Sequence, residues 1–416
     1  MKKKLISTFH HGFAGGSKNT CRILSYLSAG SYDVDAYFFE IPQYFTYAKS
    51  AVSAHLFAQQ GIHSEVIDPG EIKHYAATNQ LVEALKERKD YTLFGANLFP
   101  YCNLLHDVKA QVGTLHGVNP KLVIHPVGSD IWQIGPQIRS RVKCLLDSPL
   151  VNTILTYSTT FKDEIREYYG IKKEIHILAP VIEKERFYPI AKEEIKARRA
   201  RAGLNEEDFV IHHHSSMRKV KCPEVILEVA IKASQQISRK CILIMAGPIP
   251  KNEVKQHDLT LDKLRESKYF AYETQRGNLT ILWTGVESSV EFLLQISDVE
   301  INTSLHDSFN IALMEAMACG VPVVTSDVVG IKEHILASNS GFCFPTTRLN
   351  FDDLNVMLRS DRPRNGVFDI DSAIGSLKSI ADRSVATDGM GERGAKYVRD
   401  TFAAEKICGK LEELIS

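Results

Sequence analysis

Apolar positions along the chain follow two alternating rhythms. Short runs at 5–9, 34–39, 64–67, 91–94, 121–125, 153–157 and 175–178 have the length and β-branched or aromatic content of strands. The stretches between them put apolar residues at helical spacing, which predicts helices over about 20–27, 45–60, 79–88 and 161–169. Ser158 to Thr160 caps the last of these and Gly170 ends it. A second series follows, with strands expected at 209–213, 242–246, 279–283 and 298–302 and short helices after 223 and over 291–296. Such alternation argues for α/β architecture with parallel sheets. Residues 183–200, rich in Lys, Glu and Arg, read as a linker and a solvated helix between the two series. The final stretch, 403–415, is amphipathic through Ile407, Leu411, Leu414 and Ile415.

The densest pattern lies at 301–335. Phe309, Ala312, Leu313, Ala316 and Met317 fall on one helical face and Glu315 off it. His306, Asp307 and Ser308 supply polar groups for the start of this helix, Gly320 and Pro322 stop it, and 321–325 reads as a buried strand. Along a helix, Asp307 and Glu315 would stand about 12 Å apart. Paired carboxylates of a glycosidase would be closer, at roughly 5 to 9.5 Å. The spacing suits two contacts on one long ligand, and equally an N-cap Asp with a surface Glu. Backbone N–H groups at the helix tip, near Ser308, Phe309, Asn310 and Ile311, are suited to a phosphate or a sugar oxygen.

Other polar groups sit where expected strands end, which is where open α/β sheets bind ligands. Gly12, Gly15 and Gly16 follow the first strand without the spacing of a dinucleotide fingerprint, so a tight turn reads as well as a phosphate loop. His125 and Asp130 follow the fifth strand and are candidate cleft residues, His125 also reading as a structural histidine. Arg218, Lys219 and Lys221 lie in a strand-to-helix loop suited to a diphosphate, with Lys219 expected to face solvent. The run His212, His213, His214 is not expected to bind metal, because alternate residues face opposite ways and no neighbouring carboxylate or cysteine completes a set.

Fifty basic and fifty acidic residues in 416 balance to zero, so no global field points to nucleic acid. The 44% hydrophobic content is enough for two or three cores. Eight scattered cysteines, no apolar run of membrane length and a basic start broken by Ser7, Thr8, His10 and His11 predict a cytoplasmic protein with at most peripheral membrane contact.

The text MEAMACGVPVV at 314–324, with an acid eight residues before Glu315, resembles the Glu-x7-Glu motif of retaining family 4 glycosyltransferases. The first acid here is Asp307 rather than Glu. The loop around Arg218 and Lys221 resembles the Ser-x-x-Arg-x-x-Lys loop of that family, above all of glucosaminyl-malate synthase-like members. The resemblance implies a GT-B fold: two Rossmann-like doubly wound domains facing a cleft, with an acceptor-side domain at 1–185, a nucleotide-sugar domain at 186–396 and a helix at 397–416 returning to the first. It also implies sugar transfer from a nucleoside-diphosphate sugar, a UDP-sugar favoured, to an acceptor hydroxyl without metal or other cofactor. In that scheme Arg218 and Lys221 clamp the diphosphate, Asp307 lies by the sugar and Glu315 binds the ribose. Gly285 and Val286 hold the base, and Gly15 and Gly16 lie near donor phosphates or acceptor. Relatives carry His where Val127 stands, a place His125 would have to fill. GT-B folds also serve sugar-nucleotide epimerases, phosphorolytic enzymes and inactive binding partners, which are the alternatives.

Overall fold

The structure, a computed structural model, describes residues 2–9, 15–39, 63–67, 74–98, 102–132, 136–247, 271–273, 278–285, 289–360 and 364–415. Two compact units emerge: Met1–Val181 with Ala404–Ser416, and Ile182–Ala403. The helix expected over about 45–60 lies outside the described residues, as does Val286.

The first unit holds a seven-stranded sheet of β1 (Lys3–Phe9), β2 (Tyr32–Phe39), β3 (His63–Ile67), β4 (Tyr91–Ala96), β5 (Lys121–His125), β6 (Thr153–Thr156) and β7 (Ile175–Ile177), in the order β3-β2-β1-β4-β5-β6-β7. Every pairing is parallel. Parallel strands are covered on both faces, and Leu5, Ile6, Leu93, Phe94, Val123 and Ile124 are accordingly fully buried. The first helix runs over Gly15–Ala29, so it begins at the glycine pair and not near residue 20. The C-terminal helix Ala404–Ile415 buries Ile407, Cys408 and Leu411 and packs on Gly15–Ala29.

The second unit repeats the plan with β8 (Phe209–His214), β9 (Cys241–Ala246), β10 (Ala271–Glu273), β11 (Leu279–Gly285), β12 (Val299–Asn302), β13 (Val323–Ser326) and β14 (Gly341–Phe344). Their order is β10-β11-β9-β8-β12-β13-β14, parallel except for the β10–β11 edge pair. The direction of strand addition reverses between β8 and β12, which defines a topological switch point and the expected place for a ligand. One close approach shapes this edge. A Cβ on Gly247 would lie 1.7 Å from the Ser215 carbonyl oxygen, and the residue has φ +143°, so only glycine lets the chain leave β9 beside the end of β8.

The helix of the 301–335 stretch spans Ile311–Ala318 and departs from expectation at its start. Its N-cap is Asn310, at φ 80° and ψ 80°, whose side chain accepts from Leu313 N–H at 3.3 Å. Residues 307–310 are not helical, so the 12 Å helical separation of Asp307 from Glu315 does not apply. The expected one-sided apolar stripe is wider too: Met314 and Ala318 are buried together with Leu313, Ala316 and Met317. A helix apolar on nearly all sides belongs to a core, which isolates Glu315 as its one charged residue. Gly320, at φ +79°, ends it as expected.

Candidate functional site

Two loops meet at the switch point of the second sheet. The loop after β8 carries Ser215, Ser216, Met217 and Arg218, then a single 3-10 turn over Lys219–Lys221, then Cys222 at φ 46° and the helix Pro223–Ser234. The loop after β12 is stitched to it: Leu305 N–H donates to the Val220 carbonyl at 2.9 Å, and the Thr303 hydroxyl reaches the carbonyls of Lys221 and Cys222, each at 3.0 Å. These backbone ties fix where Lys221 emerges.

Its ammonium pairs with the carboxylate of Asp307, both side chains being mostly buried. Asp307 is held further by Phe309 N–H at 3.3 Å, and its own carbonyl accepts from Gly330 N–H at 2.9 Å. Burial works against a charge on Asp307, but the Lys221 ammonium outweighs it and keeps the carboxyl below the usual carboxylate range. An ammonium has three donors, so Lys221 can hold Asp307 and still offer protons to a ligand oxygen. Arg218 is exposed, its Nε donating to the Ser216 hydroxyl at 3.0 Å. Lys219, expected in solvent, is half-buried in the 3-10 turn.

The histidine run resolves into two faces, as alternation requires. His213 points one way, with Nδ1 2.8 Å from the Ile301 carbonyl and Nε2 2.7 Å from the Ser215 hydroxyl; burial lowers its pKa to about 4. His212 and His214 share the other face, and here the sequence reading missed a partner. The β8–β12 register sets Glu300 opposite His212. Its carboxylate accepts from His212 Nδ1 at 2.6 Å and from the His214 backbone N–H at 3.0 Å. His214 Nδ1 lies 3.1 Å from Glu300 in an ion-pair approach that lacks the alignment of a hydrogen bond, while its Nε2 hydrogen-bonds Glu315 at 3.3 Å. Burial opposes charge on this imidazole, but Glu300 and then Glu315 overcome it and raise its pKa to about 10. Conversely burial would push the Glu300 carboxyl up, and the two histidines bring it down to about 2.

A carboxylate therefore does complete a set of possible metal ligands, His212, His214 and Glu300, contrary to the expectation that none would. The spacing is that of a hydrogen bond. Ligands around a tetrahedral zinc stand about 3.3 Å apart, given metal–nitrogen lengths near 2.0–2.1 Å, whereas His212 and Glu300 are at 2.6 Å. These groups fit a shared proton better than an ion.

The remaining candidates divide between the units. Gly285 closes β11 at φ +68°, its carbonyl accepting from Gly247 N–H at 2.6 Å. Ser308 and Phe309 are buried, and Ile311 opens the helix. In the first unit Gly15 and Gly16 form the first residues of a helix. Asp130 is taken up by backbone: its carboxylate accepts from Leu98 N–H at 2.8 Å, Gly128 N–H at 2.7 Å and Val127 N–H at 3.1 Å. His125 is fully buried against the Tyr157 ring, with centroids 4.5 Å apart, and neither ring nitrogen has a hydrogen-bond partner among the described residues. Burial lowers its pKa to about 3, so it is neutral at physiological pH.

Comparison with known proteins bears on the same region. The family model for glycosyl transferases group 1 matches residues 194–358. The chain is 26% identical over 303 residues to the N-acetyl-alpha-D-glucosaminyl L-malate synthase of Bacillus anthracis, covering 73% of this chain and 66% of that protein. It is 26% identical over 188 residues to the D-inositol 3-phosphate glycosyltransferase of Jonesia denitrificans, covering 44% and 42%. The chain thus spans somewhat under two thirds of the length of the first relative and about two fifths of the second. Anabaena HepE in complex with UDP-glucose superposes with a TM-score of 0.69 at 17% identity, covering 99% of this chain and 98% of that one. WaaG, a glycosyltransferase involved in lipopolysaccharide biosynthesis, gives 0.66 at 16% identity, with 99% of each chain covered. Among the described residues no helix is long and apolar enough to cross a membrane. Residues 194–358 thus match the model for glycosyl transferases group 1, and the two-unit fold is of the GT-B class, the fold that the resemblance to family 4 implied.

Proposed function

We propose that the protein transfers a sugar from a nucleoside-diphosphate sugar to an acceptor hydroxyl, with retention at the anomeric carbon. The observation that carries this reading is the convergence of Arg218, Lys221, Asp307 and Glu315 on the switch point of the second sheet. In the reaction the bond from the anomeric carbon to the donor's distal phosphate oxygen breaks, and negative charge develops on the diphosphate. Arg218 and Lys221 neutralise that charge, as fixed cations do best in a partly dehydrated site. The acceptor oxygen forms its bond on the face the diphosphate leaves, and its proton passes to the departing phosphate oxygen. No protein base is then needed where Val127 stands. Glu315 accepts from the ribose hydroxyls, and Asp307, fixed by Lys221, lies beside the sugar.

The chemistry is supplied by cations and amides, so the reading includes no resident metal or other cofactor. A UDP-sugar is the preferred donor, UDP-N-acetylglucosamine first, because the loop text around Arg218 resembles that of glucosaminyl-malate synthases and a structural relative holds UDP-glucose. The site of action on this reading is the cytoplasm.

Thermal shift against UDP-, GDP- and ADP-sugars followed by turnover across an acceptor panel tests the assignment, since a ligand of the native state raises apparent stability. A rise with UDP-sugars is expected. Unchanged transfer by both Arg218→Ala and Glu315→Ala would refute the site, and an inverted product would refute retention.

A further inference from the structure

Three buried polar groups at the switch point have no part in the reaction just described: His212, His214 and Glu300. Stability alone does not account for them. A buried ion pair is often no better than apolar side chains of the same volume, because dehydrating both charges offsets their attraction. Their place is informative. Glu300 and His212 lie within the sheet, and His214 is the last residue of β8, so the chain of contacts runs from the interior outward and ends on Glu315.

We propose that His214 is a positioning residue for Glu315, holding its carboxylate in the orientation that receives the ribose of the donor; this rests on the Glu315 reading above. A glutamate side chain gives up about 1.5–2 kcal/mol of rotamer freedom when fixed. The Nε2 bond at 3.3 Å fixes one of its oxygens before any ligand arrives. Glu300 does the same for His214 from behind, through the 3.0 Å bond to its backbone N–H and the 3.1 Å approach to its ring. Glu300 is itself held by His212 at 2.6 Å. Glu315 thereby gains an orientation traceable to β12, a strand that does not touch the ligand on this reading.

Two substitutions separate the ends of the imidazole. The amide of His214→Asn reaches where Nδ1 stands, so it keeps a partner for Glu300 and loses Glu315. The amide of His214→Gln reaches where Nε2 stands and retains a donor to Glu315. Titration calorimetry of UDP and 2′,3′-dideoxy-UDP on the full chain reads the ribose contribution directly. Wild type should bind UDP about 10-fold or more tightly than the dideoxy form, as for hydrogen bonds to a charged group. His214→Asn should lose most of that ratio through weaker UDP binding, leave dideoxy-UDP unchanged, and be partly rescued in His214→Gln. Equal weakening of both nucleotides, or an intact ratio in His214→Asn, would overturn the positioning role. Glu315→Gln is the control. If it leaves the ratio intact, the Glu315 assignment fails as well; if it abolishes the ratio while His214→Asn does not, only the present inference fails.

Discussion

At the end of β5 a buried histidine, His125, has no hydrogen-bond partner for either ring nitrogen among the described residues; at the end of β8 another, His214, lies between two carboxylates. In sequence the two are alike, a histidine closing an apolar strand. Burial alone makes His125 neutral, whereas burial with Glu300 and Glu315 makes His214 a cation. The difference extends to their surroundings. Asp130 in the first unit is absorbed by three backbone N–H groups, while Asp307 in the second is held by a cation, Lys221, that has donors to spare. The polar groups after β8 are held mainly by other side chains, and Asp130 after β5 mainly by backbone amides.

The sharpest way to break this contrast is to remove the geometry of the second unit. Gly247→Ala sets a Cβ against the Ser215 carbonyl in a backbone region that alanine avoids, and we expect a loss of about 4 kcal/mol or more. Trp283, whose Nε1 donates to the Gly247 carbonyl at 2.9 Å, reports it by fluorescence during urea unfolding. Next comes Lys221→Met, which leaves Asp307 mostly buried and unpaired, at a cost of about 3 kcal/mol, and lowers donor kcat/KM by about 100-fold. Adding Asp307→Asn should restore the urea midpoint without restoring turnover; recovery of both would reduce Lys221 to a structural lysine.

Asp130→Ala tests the other side. Three amides lose their acceptor, and we expect about 2 kcal/mol of destabilisation, or roughly 4–8 °C in Tm for a unit of this size, with turnover following only the fraction folded. A greater loss of turnover would move Asp130 into the acceptor site. Two pH effects, opposite in sign, come from the two histidines. His125 has a folded pKa of about 3, below the unfolded value of about 6.5. It therefore costs stability as pH falls below 6.5, and His125→Phe should flatten that acid limb of a stability–pH curve. His214 has a folded value of about 10, so its contribution is full below about pH 6.5 and is lost as pH rises toward 10. His214→Gln should flatten the alkaline limb instead.

The fold was legible because its signals are local. Strand runs, the Gly170 and Gly320 stops and the loop cations all depend on neighbours within a few residues. The start of the helix Ile311–Ala318 was misread because His306, Asp307, Ser308 and Asn310 stand together and several of them have cap chemistry; only backbone conformation selects Asn310. The Glu300 contacts were invisible for another reason: they join residues more than eighty positions apart through the adjacency of β8 and β12, which strand order determines and periodicity does not. Lys221 and Asp307 were both singled out, but nothing in the sequence says that they touch.

The pairing of Glu300 with His212 also bears on how the second sheet assembles. Sliding β12 by one residue against β8 would turn Glu300 to the opposite face, away from His212 and His214, and would break the contacts that hold its carboxylate. An apolar strand tolerates such a slip far better than one bearing a buried charge. The Glu300–His212 contact thus favours the native register of the central strand pair over a one-residue slip, a preference that a leucine at this position would not supply.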